Sequence, residues 1–387
     1  MSLNTQNFKT KTIFQPRKNP CPDKFWPIAF DGGYSSIKIY SPNMIACFPS
    51  FAKKMERDQV MIGRADKKSI LYQNELGETW LVGETAQNMI SSDASDNTTA
   101  SMYIKDRFSS PMFLVITRVG LALGMMQNQY GSPVDKTLTV QTGLPSEYVK
   151  TNSEDLINAL AGTHNFKIKI GEENWKNFSF NLPKENISIM PQPMGSLISA
   201  SSDINGGQMP IAKKYFSSNV LVFDPGFGTL DTFSIKNHMT ENHYTFANLG
   251  MRRVLAETSE KIYDKYHIEI PVPAMQKCLE TGTFRHINKA ERKSVLVEFA
   301  DILNECNQNV CYEALRTIDD SYDGMFRHDY MIITGGTSAA WESMIRGYYK
   351  NMETLSIVNA WNNDNIHPIF SNVRGYYMKH INNLKRL

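Results

Sequence analysis

The sequence predicts a mixed α/β protein made of two like halves that face one ligand. Three observations carry this. Val220–Asp231, VLVFDPGFGTLD, reads as a buried strand, a glycine turn and a second strand. The pattern recurs near the N-terminus, where Ala29–Tyr40, AFDGGYSSIKIY, aligns with Val222–Phe233, VFDPGFGTLDTF. Strand and helix patterns then alternate through both halves. In the alignment the Phe, the Asp and the second-turn Gly are identical. Tyr34 matches Phe227, Ser36 matches Thr229, Ile37 matches Leu230, and Lys38 falls where the second copy has Asp231. Either hairpin alone is an ordinary Asp-Gly turn. The matched flanks of the pair argue for two phosphate loops.

Glycine turns present main-chain N–H groups without side chains in the way, which suits a phosphate. The carboxylates of Asp31, Asp224 and Asp231 would meet a phosphate only through Mg²⁺.

The chain has 387 residues, enough for two to three domains, and a formal net charge of +2 that demands no polyanionic partner. Its five cysteines are odd in number and have no zinc spacing, which favours a reducing cytoplasm. His238 and His243 are expected at a solvated hairpin turn. The most apolar helix, Met112–Met126, is interrupted by Arg118 and is too short to span a membrane. The start, MSLNTQNFKTKTIFQPRKNPCP, has no signal-peptide core and reads as a loosely ordered arm.

In chain order, Pro27–Phe30 opens the fold, Gly32 and Gly33 turn, and Tyr34–Tyr40 returns with Lys38 on one face. Met44–Ala52 is a strand. Pro42 to about Lys105 reads as an inserted subdomain, with a strand at Thr79–Val82, a helix opening at Gly83–Ala86 and an exposed loop at Ser91–Ser101. Ser110 caps a long helix with Pro111 at its first position. Strands follow at Thr137–Thr142, Phe166–Ile170, Phe178–Leu182 and Ile187–Met190. Gln192 sits between two prolines at a strand end, a favoured place for functional groups in α/β folds, and a helix starts near Gly195. The second half begins at about Phe216. It has a helix over Met251–Lys265, a short helix over Ala274–Leu279 and a long helical stretch over Asn288–Ile318. Asp329–Ile333 is a strand running into Thr334-Gly335-Gly336-Thr337 and a helix from Ser338. Ile366–Phe370 is a last strand, and a closing helix runs from Asn372.

No GxxxxGK[ST] and no GxGxxG after a first strand is present. Ser35-Ser36-Ile37-Lys38 satisfies SxxK, but no SDN or KTG accompanies it. The remaining set describes phosphoryl transfer, which is mostly positioning and electrostatics. The hairpin amides cradle phosphates, Asp31 and Asp224 hold Mg²⁺ through its waters, Lys38 balances charge, and Gln192 orients the attacking water.

These motifs resemble, in order, those of the actin superfamily, most closely the bacterial plasmid-segregating actin-like ATPases of the ParM and Alp group. Asp31–Lys38 resembles their first phosphate loop. Phe48–Ser50 and Leu81–Ala86 resemble strands of their first domain. Val140–Pro145 resembles their TGLP strand end, and Met190–Gly195 the segment with the hydrolytic Gln or Glu. Asp224–Asp231 resembles the second phosphate loop, Ile332–Thr337 the adenosine loop, and Phe370–Tyr376, FSNVRGY, the C-terminal signature. The matches span about Ile28–Tyr376. Thr337 stands where many members have a third glycine, and Pro225 replaces the usual aliphatic residue. Arg252, Arg253 and Glu257 lie in the ribose-contacting helix without an assigned role.

The resemblance implies the actin-like fold shared with Hsp70 and sugar kinases, two duplicated RNase H-like domains with nucleotide in the cleft between them. The expected division is an arm over 1–27, domain I over 28–210 with an insert at about 42–105, and domain II over 211–387. It implies a cytoplasmic, Mg-dependent ATPase that assembles into filaments when ATP-bound and moves plasmid DNA through a DNA-binding adaptor, with no direct nucleic-acid or membrane contact. The catalytic set is Gln192, Asp31 and Asp224, with the two aspartates also holding Mg²⁺. The nucleotide contacts are Gly32, Gly33, Tyr34, Ser35, Lys38, Gly226, Phe227, Gly228, Thr229, Gly335, Gly336 and Thr337. The competing reading is a small-molecule kinase or non-polymerising ATPase of the same superfamily. A filament or scaffold protein with a degenerate site is a third, and the intact Asp31, Gln192 and Asp224 argue against it.

Overall fold

The computed structural model describes residues 3–56, 59, 65–89, 107–288, 291–361, 364 and 366–386. The Ser91–Ser101 loop lies outside these.

Two sheets share one topology. In the first half, β1 (Ile13–Pro16), β2 (Phe25–Gly32), β3 (Ser36–Tyr40), β4 (Met44–Pro49), β8 (Thr137–Leu144) and β11 (Ile187–Pro191) form a six-stranded sheet in the order β1-β4-β3-β2-β8-β11. In the second half, β12 (Val220–Pro225), β13 (Thr229–Lys236), β14 (Met239–Ala247), β17 (Tyr330–Ile333) and β18 (Ser356–Asn359) run β14-β13-β12-β17-β18. In both, a three-stranded antiparallel meander is followed by two parallel strands. The first sheet differs only by the extra edge strand β1. The repeat seen in the two glycine hairpins therefore extends to whole sheets.

The central strands are buried on both faces, as their near-continuous apolar runs require. Helix α2 (Pro111–Met125) begins at Ser110, whose hydroxyl accepts from the Phe113 N–H at 3.1 Å. It is apolar all round because it is packed all round. At Gly124 an added Cβ would lie 2.9 Å from Ile28 Cδ1, so glycine there sets how closely the helix sits on the sheet. Arg118 does not break this helix. It leaves the core sideways, donating to Tyr72 Oη at 2.7 Å and to both Glu75 carboxylate oxygens at 3.1 and 3.2 Å. Tyr72 lies on a five-stranded sheet of β5 (Ala52–Lys54), β6 (Ile70–Asn74), β7 (Thr79–Val82), β9 (Gly162–Ile170) and β10 (Lys176–Leu182). Met44–Pro49, expected within the insert, instead belongs to the first sheet, and the insert's sheet recruits β9 and β10 from much later in the chain.

Other expectations are corrected. Asn288–Ile318 is not one helical stretch. β15 (Thr283–Asn288) and β16 (Lys293–Glu298) pair as an exposed hairpin, and α8 (Ala300–Ser321) follows. Val295 and Val297 favour strand, and the acidic-apolar interleaving obscures the switch of period. Ile366–Phe370 is not a strand. Pro368 cannot donate a ladder hydrogen bond, and Pro368–Phe370 forms a 3-10 turn capped by His367 Nδ1; the last strand is β18. His243 lies in β14 rather than in the turn that holds His238. The arm is ordered, with a 3-10 turn at Thr5–Phe8 followed by β1.

The closing helix α10 (Ser371–Leu384) packs on the first sheet and on α4 (Gln192–Ser201). The two helices touch backbone to backbone. A Cβ at Gly375 would fall 1.7 Å from Gly195 O, and one at Gly195 would fall 2.5 Å from Tyr376 Cε1. Arg374, 1 % exposed, donates to the carbonyls of Ser199, Ser202 and Asp203, which closes the C-terminal end of α4. Its guanidinium also pairs with Asp364 at 3.2 Å. The glycines of MPQPMG and FSNVRGY are thus two sides of one contact. Among the described residues no helix is long and apolar enough to cross a membrane, and all five cysteines are free.

Candidate functional site

The two glycine hairpins face each other across a cleft of about 380 Å³. Their registers match. Asp31 sits opposite Lys38, and Asp224 sits opposite Asp231. The one charge difference between the copies therefore decides their electrostatics.

In the first hairpin Lys38 Nζ meets Asp31 Oδ2 at 2.7 Å. Burial works against the Lys38 charge, but the Asp31 carboxylate outweighs it and holds the ammonium above its ordinary value. Lys38 is thus committed to Asp31.

In the second hairpin two carboxylates oppose each other. Asp231 accepts from Thr229 Oγ1 at 2.9 Å and Thr245 Oγ1 at 2.6 Å. Burial pushes it up to about 7, against the Thr245 bond, and the Asp224 charge adds to the rise. Asp224 is pushed up to about 6, again first by burial, although the Asn372 amide at 2.6 Å favours its charged form.

Gln192, expected at a strand end ahead of a helix from near Gly195, is the first residue of α4; Pro193, inside the first turn, suits a helix start. Its Nε2 donates to Asp31 Oδ1 at 3.3 Å. One carboxylate thus holds Lys38 on one oxygen and Gln192 on the other.

The second glycine loop is pinned from behind. The N-terminus of α6 (Met251–Tyr266) donates Met251 N–H to Gly226 O at 3.2 Å and Arg252 N–H to Phe227 O at 2.8 Å. In a planar trans peptide the next N–H points the opposite way. The Phe227 and Gly228 amides are therefore turned away from that helix. Gly250 permits this, because its Cβ would lie 2.6 Å from Phe227 O.

The Gly335-Gly336-Thr337 loop opens α9 (Gly335–Tyr348). Gly335 has φ +78° and lies close enough that a Cβ would be 3.2 Å from Asp224 Oδ1. Thr337, which stands where many members of the resembled family have a third glycine, donates its hydroxyl to Gly226 O at 3.0 Å. It ties the α9 start to the second glycine loop.

All expected site residues line the cleft except Gly32. An added Cβ at Gly32 would meet Phe30 and Phe113, so this glycine faces the core. Three contributors were not expected. Asn372 holds Asp224. Arg107, 5 % exposed, donates to Gly32 O at 2.8 Å and lies 4.2 Å over the Tyr34 ring, with Nη1 unpartnered and no carboxylate in ion-pair reach among the described residues. Burial lowers its pKa. Residues Asn7–Lys11 of the arm also line the cleft. Neither Asn372 nor Arg107 sits in a local chemical motif, although FSNVRGY marked the first.

The cleft's donor set fits a nucleotide with Mg²⁺. Glycine turns form both loops, the buried Arg107 guanidinium lines the cleft with no ion-pair partner among the described residues, and the two aspartates are too few for direct metal capture. Among the described residues no group of three or more His, Cys, Asp or Glu could hold a metal unaided. A metal here would share its shell with water and phosphate, as Mg²⁺ does.

The buried carboxylates make stability depend on pH. Raised native values mean that the folded state binds protons more tightly than the unfolded chain. Their contribution is present below the ordinary value of 3.8 and is lost as pH rises through about 6 and 7. Asp231→Asn should therefore gain on the nucleotide-free parent between pH 4 and pH 8, its melting temperature pulling ahead by a few degrees. A melting-temperature difference that does not change with pH would sink this.

Comparison with known proteins bears on the fold. Residues 29–195 match the family sequence model described as "Actin like proteins N terminal domain". No curated protein matches by sequence. Among solved structures, the chain superposes on the pCBH ParM non-polymerisable quadruple mutant with a TM-score of 0.70 at 20% identity, covering 93% of this chain and 100% of that one. The 15-stranded ParM filament from Clostridium botulinum gives 0.69 at 19% identity, with 92% and 99% covered. The archaeal actin homologue Ta0583 in complex with ADP gives 0.60 at 16% identity, with 94% and 100% covered. At these identities the structural likeness speaks for the fold.

Proposed function

We propose that this ParM/Alp-like chain of the actin superfamily is a Mg-dependent ATPase that assembles into filaments while ATP-bound and disassembles after hydrolysis. The observation that carries the reading is the pair of glycine hairpins with identical register, facing each other with Gln192 between them. The likeness to a chain solved as a filament supports the assembly half. An ADP complex of a like fold supports nucleotide as the ligand.

Mg²⁺, when bound, would neutralise phosphate charge. Asp31 and Asp224 would hold its water shell. The amides of both loops would bind phosphates. Lys38 would exchange part of its Asp31 contact for a phosphate oxygen, and the buried Arg107 guanidinium would add positive charge beside the phosphates. Gln192 carries both a donor and an acceptor, so it would orient a water in line with the terminal phosphate while Asp31 holds the amide. Because ligands on each half share one phosphate chain, losing the terminal phosphate would loosen one half from the other. Head-to-tail contacts between copies that do not close generate filaments. Plasmid DNA segregation through a DNA-binding adaptor is the cargo role this reading favours, since a net charge of +2 gives no polyanion-binding excess.

Right-angle light scattering at rising protein concentration, with Mg²⁺ and ATP, ADP or a non-hydrolysable ATP analogue, tests assembly. Scattering should rise with ATP above a threshold concentration and decay as phosphate is released. Phosphate release without scattering at any concentration would favour a small-molecule kinase or soluble ATPase on the same fold.

A further inference from the structure

The segment before β2 crosses the cleft and bonds to both halves. At its outer end, Thr5 Oγ1 donates to Leu279 O at 2.7 Å and Gln6 Nε2 to Glu280 O at 3.1 Å, both on α7 (Val272–Thr281) of the second half. Phe8, 5 % exposed, is buried in the second half's core. At its inner end, β1 pairs antiparallel with β4, Ile13 opposite Cys47, in the first half's sheet. Between these anchors the chain lines the cleft.

The middle of the segment holds groups from both sides at once. Thr10 N–H donates to Gln276 Oε1 of α7 at 2.8 Å, and the Thr10 hydroxyl lies 3.2 Å from Oε1 of both Gln276 and Gln87. Gln276 is buried, so this backbone donor satisfies an amide that has little access to water. Lys9 Nζ lies 2.6 Å from Glu84, at the start of α1 (Glu84–Gln87) in the first half, and 3.2 Å from Glu280 in the second. Burial opposes its charge, and the two carboxylates more than offset that. One ammonium can hold both carboxylates only while the halves stay close, since charge-assisted hydrogen bonds weaken steeply beyond about 3 Å.

We propose that residues 3–16 form a strap across the cleft, and that Lys9, clasped by Glu84 and Glu280, is a positioning residue that holds the cleft closed on its nucleotide. This rests on the nucleotide reading of the cleft. Opening the halves to release nucleotide requires the clasp to part and Thr10 to leave Gln276, while β1 stays on its sheet. The strap therefore unfastens from the second half and remains hinged on the first. Its effect falls on the rate of nucleotide exchange rather than on the chemistry at Gln192.

The test loads the full chain with Mg²⁺ and a fluorescent N-methylanthraniloyl ADP and chases with unlabelled ADP in a stopped-flow instrument. K9E places a third carboxylate beside Glu84 and Glu280, and release should speed up about tenfold or more. The double variant K9E/E280K restores an opposite-charge pair and should return release towards the parent rate. K9R keeps the charge and should leave it near the parent rate. A merely structural arm would not show the charge-swap rescue. Equal release from K9E and the parent, or no recovery in the double variant, overturns the strap. If K9E also melts early, E280A carries the same test, because Glu280 is half exposed. It should release faster at an unchanged melting temperature, and an unchanged rate overturns the proposal. Failure of the parent to bind the ADP analogue would overturn the nucleotide reading instead. The strap is then judged by amide exchange, which K9E should speed at Thr10 and along α7 together; unchanged protection at both overturns it.

Discussion

Gln192→Ala should slow ATP hydrolysis by roughly 10²–10⁴-fold, the range of a lost proton-transfer or water-orienting group, while ATP affinity stays within about twofold. Gln192 opens α4, a helix clamped against α10 by the Gly195–Gly375 contact, so its backbone has little freedom. Its amide nitrogen is held by Asp31 at 3.3 Å, which leaves the carbonyl oxygen to accept from a water. Among the described residues its side chain hydrogen-bonds only to Asp31 of the first half, so binding should survive. Single-turnover phosphate release measured beside equilibrium ATP binding separates the two effects. Lost affinity with unchanged turnover would assign Gln192 to binding and refute the water-orienting role. In the scattering experiment the same variant should form filaments that persist, because assembly needs the bound ATP and disassembly needs its hydrolysis.

Asp224→Ala should remove Mg²⁺-dependent ATP binding, a loss of at least about 100-fold, comparable to deleting a partner of a buried charged group. Asp224 is buried with one amide partner and sits across the hairpin from Asp231, so its carboxylate is at odds with its surroundings. A carboxylate pushed up to about 6 by burial is poised to ionise fully once a divalent cation arrives, since a bound cation reverses the local electrostatics. Asp224→Asn is the sharper control. It keeps the shape and the contact with Asn372 while removing the charge, and it should lose Mg-ATP as completely as the alanine variant. In excess chelator, parent and both variants should bind ATP equally weakly. Near-normal binding of Mg-ATP by Asp224→Asn would refute the metal role.

The duplicated hairpin was legible in the chain because it is local. A strand, an Asp, a glycine turn and a returning strand lie within twelve residues, and both copies pair in the same register, Asp31 with Lys38 and Asp224 with Asp231. Gly33, Gly226, Gly335 and Gln192 were visible for the same reason, as turn and strand-end residues with a backbone role. The misreadings also have local causes. Gly32 shares a diglycine with Gly33, and nothing in the sequence says which of the two faces the core. The β15–β16 hairpin and the 3-10 turn at Pro368–Phe370 are short elements whose apolar runs fit more than one period.

What the sequence by itself determined was the mixed α/β class, the repeated glycine-hairpin motif, and most of the residues that line the cleft. Those properties follow from backbone preference and side-chain chemistry over a few neighbours. The tertiary structure alone decided which groups share a site when they lie far apart in the chain. It brought Asn372 to Asp224, Arg107 beneath the first loop, and Lys9 between Glu84 and Glu280. It also set Gly195 against Gly375, a contact that neither motif could show alone. The physical reason is that these contacts depend on how two sheets and their connecting helices pack. Burial then sets the charge state of what meets there, leaving Asp31 paired with Lys38 and Asp224 facing another carboxylate.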